Sequence, residues 1–329
     1  MLSPDLLHAS LSDPTLDVMN FLNEIALRHP DAISFAPGRP SEQFYDTQQI
    51  SRYLEAYTRH LAQERGMTPE QIRTHVFQYG RTNGHIHPLI ARLLEKDEGI
   101  VAPAESIVVT VGCQEAMFLV LRALFARSTD VLLVGMPCYI GITGAAKLLD
   151  IELAPVTEGA DGLDLDDLEA KLRALKSAGK TPRALYLVAD FANPSGRSLS
   201  LAARHRLLAL AAREQVLILE DNPYGFFSRE EQRKPTLKSL DTQRQVLYLG
   251  SFSKSAFPSL RVGYVVANQE VDNGRGGTHF LSEELSKIKS MISVNTSSLT
   301  QAIIGGMVVL NDLSLLGVNR EPIRFYKRN

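Results

Sequence analysis

The chain has 329 residues, 44% of them hydrophobic and 22% charged, with a formal net charge of −2. Such a composition describes a globular chain with enough apolar material for one large domain or two smaller ones. Basic and acidic residues are interspersed and no Lys/Arg block occurs, so the electrostatic footprint of a nucleic-acid or anionic-membrane binder is missing and a small-molecule partner is expected.

At the N-terminus, MLSPDLLHASLSDPTLDVMN has no basic segment leading into an apolar run. No later segment reaches the roughly 18 consecutive apolar residues of a spanning helix, and the expected location is cytoplasmic. The two cysteines, Cys113 and Cys138, lack C-x-x-C spacing and read as buried small side chains, not as a disulfide framework or a metal or redox pair. Further along, seven runs read as strands: 106–112, 131–136, 151–156, 183–190, 216–221, 245–250 and 261–267. Most are near-continuously apolar, as strands buried on both faces are. Between several of them, CQEAMFLVLRALFAR, LDLDDLEAKLRALKSAG and SLAARHRLLALAARE carry the 3.6-residue spacing of amphipathic helices. The second begins on acidic residues and ends at Gly179, which are helix start and stop signals. The alternation predicts an α/β domain built on a doubly wound, mostly parallel sheet. One Gly-rich patch, NGRGG (273–277), reads as a loop and not a phosphate cradle, because no strand is predicted directly before it.

Ligands of such sheets gather at the carboxyl ends of the strands. Gly112-Cys113-Gln114 follows the first run and opens a helix whose amides and partial positive charge suit a phosphate. Pro137-Cys138-Tyr139 follows the second run, Asn193-Pro194-Ser195-Gly196 the fourth and Asp221-Asn222-Pro223-Tyr224 the fifth. Ser251-Phe252-Ser253-Lys254 follows the sixth, with Arg261 seven residues later. Each segment alone is explained by a turn, a cap or a core aromatic. Five such signals at the strand ends of one sheet are not.

In order and spacing, from ISFAPGRP (33–40) to NTSSLTQAI (295–303), these motifs resemble the fold-type I pyridoxal-phosphate enzymes, within the class I and II aminotransferase family. The resemblance implies pyridoxal 5'-phosphate as cofactor, held by Lys254 as a Schiff base, with Lys254 later moving the proton of the substrate's Cα. It implies that Asp221 pairs with the pyridine nitrogen, that Asn193 and Tyr224 hydrogen-bond the phenolic oxygen, and that Tyr139 stacks on the ring. It assigns the phosphate to Gly112, the amides of Cys113 and Gln114, Ser251, Ser253 and Arg261. Tyr79, in QYGRTNG, matches a tyrosine that reaches the phosphate from the neighbouring subunit, which implies a homodimer with shared active sites. Gly38, Arg39 and Asn193 are the substrate-side candidates, and Arg39 reads equally well as an ordinary surface residue.

Physical chemistry explains the residue types. A free lysine amine, with pKa about 10.4, is protonated at neutral pH and must be held covalently or have its pKa lowered by burial and nearby cations. A carboxylate such as Asp221 keeps the ring nitrogen protonated, and a protonated ring accepts electrons. Arginine offers a planar fork that matches two phosphate oxygens.

The expected reaction is ping-pong transfer of an amino group from an L-amino acid to a 2-oxo acid, in amino-acid metabolism. SFAPGRP and VNTSSLTQA are similar to the branch of 2-aminoadipate, aromatic and branched-chain aminotransferases, with a further likeness to transaminases of residues such as dihydroxyphenylglycine. Lyase or oxidative chemistry on the same scaffold, or a non-catalytic effector module of a transcription regulator, are the alternatives. About 32 residues precede ISFAPGRP, too few for the winged-helix domain such regulators carry. Ser251-x-x-Lys254 also fits the S-x-x-K of penicillin-binding enzymes, but the companion S-D-N and K-T-G motifs are absent. No G-x-G-x-x-G follows a strand, which disfavours a dinucleotide enzyme. The expected division is an N-terminal arm and entrance segment (1–45), a large cofactor-binding domain (46–312), and the start of a helix (313–329) leading to a C-terminal small domain that the sequence lacks. That domain carries the family's carboxylate-clamping arginine, so the chain is expected to bind cofactor better than it transaminates.

Overall fold

The computed structural model describes residues 2–3, 6–29, 31, 40–228, 233–326 and 328. Helices α1 (Pro14–Arg28), α2 (Gln48–Gln63), α3 (Pro69–Phe77) and α4 (His87–Glu98) precede the first strand. Then come β1 (Ile107–Val111), α5 (Gly112–Leu124), β2 (Asp130–Met136), α6 (Ile140–Leu148), β3 (Glu152–Gly159), β4 (Gly162–Leu163), α7 (Leu165–Ser177), β5 (Thr181–Leu187) and α8 (Leu201–Glu214). The chain continues through β6 (Leu217–Asp221), α9 (Leu237–Leu240), β7 (Val246–Ser251), β8 (Val262–Val266), β9 (Glu270–Asp272), β10 (Thr278–Phe280), α10 (Leu281–Ile292), α11 (Ser298–Leu310) and α12 (Arg320–Tyr326).

Eight strands form one sheet in the order β1-β8-β7-β6-β5-β2-β3-β4. The pairs β2/β3, β2/β5, β5/β6 and β6/β7 are parallel, whereas β8 runs antiparallel to both β7 and β1. Two reversals restore direction, so β1 points the same way as β7. The carboxyl ends of β1, β2, β5, β6 and β7 therefore share one edge, and the start of β8 lies at that edge too.

Side-chain alternation divides the core. Leu132, Val134, Ala184 and Tyr186 face a layer closed by α5, α6 and α10, while Val131, Leu133, Leu185 and Leu187 face the layer of α7 and α8. A third cluster, with Tyr53, Ile90 and Ile304, packs α2, α4 and α11 against Val109 and Val266 at the β1/β8 side. Each aliphatic side chain so removed from water contributes about 1.5–3 kcal/mol, which is what sustains strands with so little polar content. The helices start where side chains satisfy their free amides: Thr68 and Gln71 form a reciprocal capping box on α3, and Asp164 and Ser200 cap α7 and α8.

The predicted strands and helices match the observed ones to within a few residues. One reading needs correction. A strand does lead directly into NGRGG: β9 and β10 form a small hairpin with 273–277 as its tip, and Asn273 Oδ1 accepts the amides of Arg275 and Gly277. Glu270 and Asp272 leave β9 only one apolar residue, so no run was legible. The segment remains a turn, with no helix start at the tip.

Candidate functional site

Register explains how distant residues meet. Ser251 of β7 pairs with Gly263 of β8, and Val111 of β1 pairs with Val262. Arg261, one residue before β8, thus sits between the loop after β7 and the start of α5. Its backbone is left-handed, at φ 50°. The intervening loop, which carries Lys254, is held at several points. Phe252 is buried and its amide donates to the Val262 carbonyl, the Ala256 amide donates to the Phe252 carbonyl, and Asn319 Nδ2 donates to the Ser255 carbonyl.

Lys254 is half-buried, with Nζ 6.0 Å from the centre of the Tyr224 ring. Burial lowers its pKa, and the neighbouring Arg261 lowers it further, against an opposing pull from Asp221. That is the direction a nucleophilic or proton-carrying amine requires.

Asp221 ends β6 and is 4% exposed. The Tyr186 hydroxyl donates to Oδ2 at 2.7 Å and the Cys113 thiol to Oδ1 at 3.6 Å. Burial raises this carboxyl to about 6, with both hydrogen bonds and Lys254 pulling the other way. Its two hydrogen-bond donors are uncharged, so a cationic ring nitrogen would meet a buried carboxylate whose cost is only partly compensated. After Asp221, the turn is fixed by Asn222: its Oδ1 accepts the Gly225 amide and its Nδ2 donates to the Tyr248 hydroxyl. Tyr224 is thereby aimed back at the edge, where burial and then Asp221 raise the pKa of its hydroxyl and the nearby Asn193 side chain opposes them. The loop bearing Asn193 is held by Arg204, a fully buried guanidinium that donates to Asp190 Oδ1 at 2.6 Å and to the carbonyls of Ala189, Leu199 and Pro235.

At the other end of the site lies a cup. Gly112 has φ 72°, and a Cβ there would stand 2.3 Å from the Arg261 guanidinium. A Cβ on Gly263 would stand 2.6 Å from the Cys113 amide nitrogen. Gly112 thus lets Arg261 approach the first turn of α5, and Gly263 lets β8 approach the backbone of that turn. Arg261 Nη1 donates to Ser253 Oγ at 3.4 Å, and Ser251 Oγ accepts the Ser253 amide. Among the described residues Arg261 pairs with no carboxylate. Amides at a helix start, a guanidinium and two hydroxyls make a donor set for a dianion. Tyr139 stands between cup and carboxylate. Gln114 Nε2 donates to the Gly141 carbonyl at 2.7 Å, and a Cβ on Gly141 would touch both the Tyr139 ring and Gln114. Burial pushes the Tyr139 hydroxyl up to about 12, helped by Asp221.

A phosphorylated pyridine ring fits this arrangement. The cup would suit the anion and Asp221 a ring nitrogen, with Asn193, Tyr224 and Lys254 at the same edge of the sheet. Tyr79 is elsewhere: it is 85% exposed on the segment after α3 and makes no hydrogen bond among the described residues. Gly38 and Arg39 lie outside the described residues. One contributor escaped sequence reading: Tyr186 sits inside an apolar strand and reads as core. Cys113, assigned through its amide alone, also touches Asp221 with its thiol.

Comparison with known proteins agrees with this chemistry. The profile of "Aminotransferase class I and II" matches residues 45–313. The chain is 49% identical over 328 residues to the (S)-3,5-dihydroxyphenylglycine transaminase of Amycolatopsis orientalis, spanning all of this chain and 74% of that protein. It is 28% identical to aromatic-amino-acid aminotransferase 1 of Thermococcus litoralis, over 90% of this chain and 70% of the other. In structure it is similar to the α-aminoadipate aminotransferase of Thermus thermophilus, solved with N-(5'-phosphopyridoxyl)-L-leucine, at TM-score 0.72 and 27% identity, covering 97% of this chain and 74% of that one. No helix among the described residues is long and apolar enough to cross a membrane.

Proposed function

We propose, from the premise that this chain belongs to the class I and II aminotransferases, that the residues gathered at the carboxyl edge of its sheet are the active site, with Lys254 at its centre. The chain is a pyridoxal-phosphate-dependent aminotransferase that moves the amino group of an L-amino acid to a 2-oxo acid. When bound, the cofactor supplies an electron sink that acidifies the Cα–H of the amino acid. The chain's own residues do the rest. Asp221 keeps a proton on the ring nitrogen by offering a buried carboxylate; Asn193 and the Tyr224 hydroxyl orient the phenolic oxygen; Tyr139 covers one ring face and excludes water. Arg261, Ser251, Ser253 and the α5 amides of Cys113 and Gln114 hold the phosphate. Lys254 would anchor the cofactor covalently and, when its amine is free, its lowered pKa suits Nζ to carry the Cα proton to the cofactor's C4′.

The observation that carries this reading is the convergence of Asp221, the Tyr224–Asn193 pair and the Arg261–Gly112 cup around one lysine with a depressed pKa. For the substrate, the relative at 49% identity favours an L-amino acid with an aromatic side chain, of the arylglycine kind in that relative's name. Gly38 and Arg39 are assigned to the entrance, with Asn193 beneath. The further assignments are a cytoplasmic homodimer in which Tyr79 of one subunit completes the phosphate site of the other, and a division into arm (1–45), cofactor domain (46–312) and a C-terminal element (313–329). The exposure of Tyr79 in the single chain supports the dimer.

The test is a donor panel: protein and pyridoxal phosphate with each L-amino acid and a 2-oxo acid, followed by mass detection of the products. Arylglycines and aromatic amino acids should turn over ahead of aspartate and alanine. Formation of ammonia or hydrogen peroxide in place of a new amino acid would overturn the transamination reading.

A further inference from the structure

Helix α10 lies against the β1–α5 corner and sends a cation into it. Lys289 is 0% exposed. Its Nζ donates to Glu115 Oε2 at 2.7 Å and to Ser293 Oγ at 2.8 Å, and Ser293 Oγ in turn donates to Glu115 Oε1 at 2.6 Å. Glu115 Oε2 also accepts the Val111 amide at 2.7 Å. That last bond matters because Val111 and Gly112 set the direction of the amides that follow, those of Cys113 and Gln114. A carboxylate in the first turn of α5 satisfies the helix's positive end. It also opposes any phosphate bound there, since two anions within one helical turn repel strongly where water is scarce. Burying a lysine with no other exit cancels that charge and ties the carboxylate down from behind.

We infer that Lys289 is a positioning residue for the cofactor's phosphate: through Glu115 it fixes the Val111–Gly112 peptide and keeps the first turn of α5 free of net negative charge. The inference rests on the phosphate site assigned above to Arg261 and the α5 amides. The three-residue network touches no part of the ring site and leaves Asp221, Tyr224 and Lys254 as they are.

The experiment compares affinity for pyridoxal 5'-phosphate with affinity for pyridoxal, which lacks the phosphate, by equilibrium titration of the full chain. The ratio isolates the cup from the fold and from Lys254. Lys289→Met is expected to reduce the preference for the phosphorylated form by roughly ten- to a hundredfold, the scale of an uncompensated charge beside an anion. The double variant Lys289→Met with Glu115→Gln removes both charges and should recover the preference to within a few-fold. Glu115→Gln alone should preserve or raise it. Arg261→Ala serves as the reference that removes a direct phosphate contact. If Arg261→Ala lowers the ratio and Lys289→Met leaves it unchanged, Lys289 is only structural and the inference fails. If neither variant alters the ratio, the phosphate assignment itself is wrong. Should Lys289→Met not fold, a fall in the ratio for Glu115→Gln alone would overturn the proposal.

Discussion

Replacing Asp221 by Asn is expected to stabilise the cofactor-free chain at neutral pH while slowing transamination more than it weakens cofactor binding. Asn has the same shape, and its Oδ1 can still accept the Tyr186 hydroxyl, so the change is chiefly one of charge. Burial holds the Asp221 carboxyl at about 6, against an ordinary value of 3.8. The folded chain therefore keeps this proton longer than the unfolded chain does. The favourable contribution is fully present below the unfolded pKa and is lost as pH rises through the folded one. A gap of about two pH units corresponds to about 3 kcal/mol between the protonated and ionised limits, of which about 1.4 kcal/mol falls between about pH 5 and about pH 7.5. The Asn variant lacks this titration, and the groups common to both proteins cancel. Urea unfolding of both cofactor-free proteins at the two pH values measures it: the stability of the variant relative to wild type should be about 1.4 kcal/mol more favourable at the higher pH. A difference that is flat, or that falls with pH, would refute the claim that a buried, strained anion is kept here for the cofactor.

Two further substitutions test the parts around it. Tyr186→Phe removes a 2.7 Å hydrogen bond to Asp221, of a kind worth about 1.5–3 kcal/mol, so the pH at which cofactor association reaches its plateau should move up by about one to two pH units. An unmoved pH profile would mean the tyrosine only fills space. Gly112→Ala places a methyl group 2.3 Å from the Arg261 guanidinium on a backbone at φ 72°, and should weaken cofactor affinity tenfold or more with a destabilisation of only about 1–2 kcal/mol. Unchanged affinity in a titration would show that Arg261 does not need its place on the first turn of α5.

Much of this site is written at strand ends, where chemistry needs polar residues and folding does not. Asp221 stands out because it ends an apolar run, Asn193 and Lys254 because they follow one within a few residues, and Arg261 because it directly precedes one. Gly112 stands out as the residue that turns a strand into a helix. The elements between were legible for a related reason: strands buried on both faces admit almost no polar residues, and helices covering them keep one apolar side. What could not be read is whatever depends on pairing across the chain. Tyr186 looks like any aromatic in a core strand, and only the register between β5 and β6 brings its hydroxyl to Asp221. Glu115 and Lys289 look like the charged sides of two amphipathic helices; that they meet, 174 residues apart and out of water, is set by tertiary packing. The direction of β8, which brings Arg261 beside the start of α5, is likewise absent from local pattern.

The central claim is that Lys254 is the covalent anchor of the cofactor, and the most direct measurement is borohydride reduction of the protein with pyridoxal phosphate, followed by peptide mass spectrometry, with Lys254→Ala alongside. A phosphopyridoxyl mass confined to the peptide containing Lys254, and lost in the variant, is the predicted result. Stoichiometric labelling of another lysine, or equal labelling of the variant, would contradict it.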